Sequence, residues 1–249
     1  MSGTKSPFPK EPATKRQAII VSHGQPSDPD PAEVELATLA MDVARLMPDW
    51  HVQSATLAKE NVLETALEQA GSAPLIYPLF MTHGWFTQTT LPKRVTSPDA
   101  KILAPLGVDQ SLPALAERWL LAELKAQGWN AGDTCLIVAA HGSGRSENSS
   151  RDTRSFSNAL SARLPFGEIR VGFIEEPPYL TDVVFDAGDK SICLPFFAAI
   201  RGHVTDDIPE ALDGAEFAGL RLDPIGTHPD IPALIASELA AQFEHRAIA

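Results

Sequence analysis

TCLIVAAHG (134–142) is an apolar run that ends in a histidine–glycine pair, and AIIVSHG (18–24) has the same form much earlier in the chain. Six consecutive apolar residues, rich in β-branched side chains, suit a strand buried on both faces, which is the habit of parallel sheets. A glycine directly after such a strand suits a tight turn. Two such units in one chain raise the question of a duplication.

The neighbouring sequence answers it. YPLFMTHGWFTQTTLP (77–92) and LPFFAAIRGHVTDDIP (194–209) share one frame, with Pro78 matching Pro195 and Pro92 matching Pro209. APLGVDQSLPALAERW (104–119) and DPIGTHPDIPALIASE (223–238) share Gly107/Gly226, Pro113/Pro232 and Leu115/Leu234. Three paired blocks in the same order at nearly one offset define an internal repeat, joined near QGWNAGD (127–133).

Within each half, strand-like runs alternate with helical periods. HVQSATL, APLIYPLF and KILAPL read as strands after AIIVS, and Val34, Ala37, Met41 and Ala44 recur at helical spacing behind Pro31. A β-α-β-α order implies an α/β fold with a parallel sheet. The expected layout is a tail at 1–16, an N-terminal lobe at 17–128 and a C-terminal lobe at 133–249.

Composition narrows the class. The chain has 249 residues, 32 acidic and 20 basic side chains and a net charge of −12, which argues against nucleic-acid or anionic-membrane partners. Cys135 and Cys193 each lie in an apolar strand and read as reduced core residues of a cytoplasmic protein. The N-terminus lacks the apolar stretch of a secretion signal, and no apolar run approaches a membrane span.

In open α/β sheets, ligands sit beyond the carboxyl ends of the strands. His141 follows CLIVAA, Glu175 and Glu176 follow IRVGFI, and His203 lies in the loop after ICLPFF. Adjacent strands are about 4.8 Å apart, so side chains leaving neighbouring ends can converge on one ion. Two imidazoles with a carboxylate suit a divalent first-row metal, with cobalt, iron and nickel all open.

Plainer readings stand beside these. A histidine before glycine can simply close a turn through the backbone, Glu176 can be a solvated surface acid, and Asp206 and Asp207 can be first-turn acids favoured by a helix dipole. In the first half His23 is kept, but Ala58 stands in the place of Glu175 and Phe86 in that of His203. His83 has no counterpart in the second half, where Ile200 takes its place, and is a candidate to face the cleft. The loop GSGRSENSSRDTR (142–154) offers Ser143, Arg145, Arg151 and Arg154 as an anion cradle. Arg201, Lys93 and Arg94 add positive charge at the same edge.

AAHGSGR, FIEEP and LPFFAAIRGHVTDDIP resemble the sirohydrochlorin chelatases of the CbiX type, over most of residues 17–245. The resemblance implies two tandem flavodoxin-like lobes, each a four-stranded parallel sheet flanked by helices, with a cleft between them. It implies insertion of Co2+ or Fe2+, with Ni2+ a further option, into a tetrapyrrole, with no cofactor beyond that metal substrate. His141 and His203 would hold the ion, Glu175 would line its pocket, and Ser143, Arg145, Arg151, Arg154, Arg201, His83 and His23 would contact the ring. SHGQP departs from the motif by lacking the serine, so only the C-terminal site would be complete. A single chain with two lobes would act as a monomer.

Two rivals are set against this. A histidine phosphatase turn carries an arginine before its histidine, and Ser22 and Ala140 stand there instead. A metal or tetrapyrrole carrier without turnover would keep the same fold and histidines.

Overall fold

The computed structural model describes residues 15–71, 73–144 and 147–248. Arg145 lies outside the described residues, as does the tail up to residue 14. The N-terminal half runs β1 (Arg16–Ser22), α1 (Pro29–Leu46), β2 (Trp50–Thr56), α2 (Val62–Ala70), β3 (Leu75–Pro78), α3 (Leu91–Arg94), β4 (Lys101–Ile102) and α4 (Leu112–Gln127). The C-terminal half repeats it as β5 (Cys135–Ala140), α5 (Asn148–Ser161), β6 (Glu168–Phe173), α6 (Leu180–Val184), β7 (Ser191–Pro195), α7 (Ile208–Gly214), β8 (Leu220–Arg221) and α8 (Ile231–Ile248).

Each half forms a four-stranded parallel sheet, ordered β2-β1-β3-β4 and β6-β5-β7-β8. This is the α/β architecture expected from the alternation of strand and helix. The strand order reverses between the first and third strand of each sheet, so the crevice at a switch point opens beyond β1 and β3, and beyond β5 and β7. The central strands have apolar, buried middles: Ile19, Ile20 and Val21 in β1, and Leu136, Ile137 and Val138 in β5, have no exposed surface.

Helix α1 forms behind Pro29 at its first turn, but its buried stripe is not the expected one. Ala32, Leu36, Ala40 and Val43 face inward, whereas Val34 is 68% and Met41 53% exposed. Two of the four inward residues are alanines, and α1 packs against both β2 and α8.

The helices that end the two halves are exchanged. α4 packs against α5 of the C-terminal half, and α8 packs against α1 and β3 of the N-terminal half. Phe243 of α8 meets Trp50 edge to face at 5.6 Å, and the Arg16 guanidinium lies 4.1 Å from its ring centre. Across the other contact Arg163 pairs with Glu117 at 2.7 Å. One continuous core therefore includes Ile20 and Tyr77 of the first sheet with Val138 and Leu194 of the second. No helix among the described residues is long and apolar enough to cross a membrane.

Candidate metal centre

His141 leaves the end of β5 at the middle of its sheet. Gly142 makes the turn with φ of +74°, and a Cβ there would lie 2.9 Å from Phe173 Cβ and from Glu176 Cγ, so only glycine fits. Glu176 then accepts the Ser143 backbone N–H at 2.8 Å, which gives this acid a fixed task in holding the turn rather than the solvated place expected of it.

The His141 ring is oriented by its own turn. Its Nδ1 lies 2.9 Å from the Gly142 carbonyl, which can only accept, so Nδ1 carries the proton and Nε2 keeps its lone pair. The turn-closing reading and the metal-ligand reading of this histidine thus describe the same geometry.

His203 comes from a π-helical turn, His203–Asp207, that follows β7. Its Nδ1 lies 2.7 Å from Asp207 Oδ2, so it too donates from Nδ1 and offers Nε2. A carboxylate behind a ligating imidazole fixes the tautomer and strengthens the donor. Asp207 is therefore a partner of His203, and the dipole reading of this acid misses it; its signal in the sequence is the four-residue spacing to His203.

The two imidazoles stand perpendicular with centroids 4.4 Å apart. Glu175, at the end of β6, places Oε1 3.8 Å from His141 Nε2. Ligand atoms of His141, Glu175 and His203 all lie within 4.8 Å of one another. Two neutral nitrogens and one carboxylate with open positions is a donor set for a borderline divalent ion.

The first half shows the same frame with the donors removed. His23 Nδ1 bonds the Gly24 carbonyl at 2.8 Å, and Phe86 begins a matching π-helical turn, Phe86–Thr90. The His23 and Phe86 rings sit edge to face at 4.2 Å, as His141 and His203 do. The Ala58 N–H donates to the His23 carbonyl at 2.9 Å, and Glu175 N–H does the same to His141. The backbone frame is kept, while the side chains that would bind metal are lost: Ala58 stands for Glu175 and Phe86 for His203.

Both half-sites open into one cleft of about 1720 Å³, lined by His23, Phe86, His141, Ser143, His203 and Arg201 among others. That exceeds the ~300–1,000 Å³ of ordinary small-ligand pockets and suits a large flat guest. Arg201 reaches across it to Glu35 of α1 at 2.6 Å.

Other candidate residues have different places. His83 is held by α5 of the other half: its backbone N–H and Nδ1 both donate to buried Asp152, at 2.7 and 3.0 Å. Arg151 is exposed beside the same aspartate, and the Arg154 guanidinium stacks 5.4 Å from the Phe173 ring centre. Neither arginine lines the cleft. Arg94 is committed to Glu64 through two bonds of 2.8 Å, and its guanidinium holds that carboxyl below its ordinary pKa. Sequence reading missed His228, which lines the cleft, meets Trp119 at a tilt with ring centroids 5.0 Å apart and accepts the Asp230 N–H at Nδ1; burial lowers its pKa.

Two α/β lobes around a cleft, with a histidine pair on one wall and a carboxylate beside it, define the chelatase-like class. The family model described as CbiX matches residues 135–242, the half that carries the full donor set. A solved structure of CbiX, the terminal enzyme for biosynthesis of siroheme in denitrifying bacteria, is 44% identical and aligns at a TM-score of 0.83 over 91% of this chain and 99% of that one. A probable sirohydrochlorin cobaltochelatase of Halobacterium salinarum is 25% identical over 223 residues, covering 77% of this chain and 75% of that protein. SirB from Bacillus subtilis, solved with Fe3+, shares the fold at 18% identity and a TM-score of 0.74, over 93% and 98% of the two chains. The chain belongs to the CbiX family.

Proposed function

We propose that this chain inserts a divalent metal, Fe2+ or Co2+, into sirohydrochlorin, a lyase-type reaction that needs no cofactor beyond the metal substrate. The observation that carries the reading is the convergence of His141, His203 and Glu175 within 4.8 Å, with the two histidines lining a cleft large enough for a macrocycle. The names of its relatives point to the same ring.

His141 and His203 would hold the ion through Nε2, since Nδ1 of each ring is taken by Gly142 and Asp207. Glu175 supplies a negative third donor, and the open coordination positions let ring nitrogens replace protein ligands one at a time. Two pyrrole N–H protons must leave as two nitrogen–metal bonds form. Sirohydrochlorin bears many carboxylates, and Arg201 is the arginine that lines the cleft among the described residues; an entering carboxylate would displace Glu35 from it. In this reading the lobes are 17–128 and 133–249, the active unit is one chain, and the protein works in the cytoplasm.

The test is anaerobic absorbance of sirohydrochlorin with Fe2+ or Co2+, with and without protein. Insertion faster than the uncatalysed rate, lost in His141→Ala and His203→Ala, is the expected result. Binding of metal and ring with no acceleration would identify a carrier instead.

A further inference from the structure

The repeat places a second HG turn on the opposite lobe of the same cleft, and its histidine is left without a metal partner. His23 lines the cleft, and its Nδ1–H donates to the Gly24 carbonyl at 2.8 Å, so its Nε2 keeps a lone pair as His141 does. No hydrogen bond among the described residues occupies that nitrogen. Phe86 and Ala58 stand where His203 and Glu175 stand in the other half, so the lone imidazole lacks the chelate that would hold an ion.

The surroundings of His23 suit a flat aromatic guest. Phe86 packs edge-on to it at 4.2 Å, Trp85 meets Phe86 at 5.2 Å, and Phe80 stacks on Phe86 at 6.3 Å. All four rings line the cleft. Trp85 is nevertheless 64% exposed, an unusual state for so large an apolar ring and one that a stacked macrocycle would cover. The part of the cleft around His23 is thus aromatic with an imidazole set in it, and the histidine pair of the metal centre lines the cleft from the other lobe.

We propose that His23 is the base that removes the pyrrole protons, from the face of the macrocycle opposite to the entering metal. This rests on the chelatase reading above. A metal approaching from the His141 and His203 side needs nitrogen lone pairs turned toward it, which directs the N–H bonds toward the other face, where His23 waits. In each transfer the N–H bond breaks, its electron pair stays on the ring nitrogen and becomes a bond to the metal, and the proton passes to His23 Nε2. The resulting imidazolium keeps its Nδ1–H bond to Gly24. It is only partly buried and releases its proton to water, restoring the base for the second transfer.

Single-turnover insertion of Co2+ into sirohydrochlorin, followed by absorbance, tests the assignment. Ring binding is measured separately by fluorescence quenching without metal, and Co2+ binding by titration without ring. His23→Ala and His23→Gln should bind Co2+ as the unaltered protein does and still bind the ring, while insertion of the bound ring slows about 100-fold, within the range for a positioned general base. Added imidazole should restore insertion in His23→Ala, which leaves room for it, and not in His23→Gln. Full insertion rates in both variants, with His203→Ala inactive, would overturn the role of His23 and leave the chelatase reading standing. A loss that follows weakened ring binding would likewise make His23 a contact residue only. An unaltered protein with no acceleration would remove both proposals.

Discussion

Asp207 decides which nitrogen of His203 is left free to act as a donor. At 2.7 Å it holds the proton on Nδ1, and without its charge the ring can flip or change tautomer. Asp207→Asn is expected to weaken Co2+ binding about 10- to 100-fold, the usual cost of losing such a partner, with little change in thermal stability; a visible-absorbance titration measures it. His203 itself was legible in the sequence because its counterpart Phe86 made it stand out. Asp207 was not, because an acid four residues after a histidine and one residue before a proline-started helix fits a dipole role equally well, and the spacing alone does not choose between that role and a bond to the ring. The first half gives the converse test. Thr90 occupies the place of Asp207, and its buried hydroxyl has no hydrogen-bond partner among the described residues. Restoring donors with Ala58→Glu, Phe86→His and Thr90→Asp together should raise bound Co2+ from one to two per chain, read by equilibrium dialysis.

Turns, rather than helices or strands, set the positions of the site's loops. The Gly226 N–H donates to the Phe197 carbonyl at 2.9 Å, and a Cβ on Gly226 would lie 2.5 Å from Ala198 Cα and from its carbonyl oxygen. Backbone pressed on backbone leaves no room for a methyl group. Gly226→Ala is expected to cost about 1–3 kcal/mol in urea unfolding, as overpacking does, and to weaken Co2+ binding by moving the segment that leads to His203. A substitution that destabilised the fold and left metal affinity unchanged would show that this segment does not position the histidine. The strands themselves were plain in the sequence, since buried parallel strands are continuous apolar runs. The edge strands β4 and β8, two residues each, carry too few side chains for a periodic signal. The inward face of α1 was read wrongly because its buried stripe leans on alanines, whose small side chains signal burial weakly, while larger Val34 and Met41 face out.

For the molecule as a whole, the exchanged helices matter most. A repeat in sequence suggests two lobes that fold alone, yet α8 packs on α1 and β3 of the first half and α4 on α5 of the second. Contacts between distant parts of a chain leave no local periodicity, so this was hidden from the sequence. Residues 133–249 expressed alone should lack a cooperative thermal transition, because α8 loses the face it packs on and α5 is uncovered. Co-expression with residues 1–132 should restore a single transition. Independent folding of the C-terminal half would contradict the continuous core described here.

The same duplication has a consequence for sidedness. Two identical subunits about a twofold axis must offer a guest the same surface above and below, and any mutation alters both surfaces at once. Joining the copies in one chain breaks that symmetry at the level of the gene, so Phe86 could replace a ligand on one wall while His203 was kept on the other. A planar ring held between unlike walls has a defined top and bottom, and traffic through it acquires a direction.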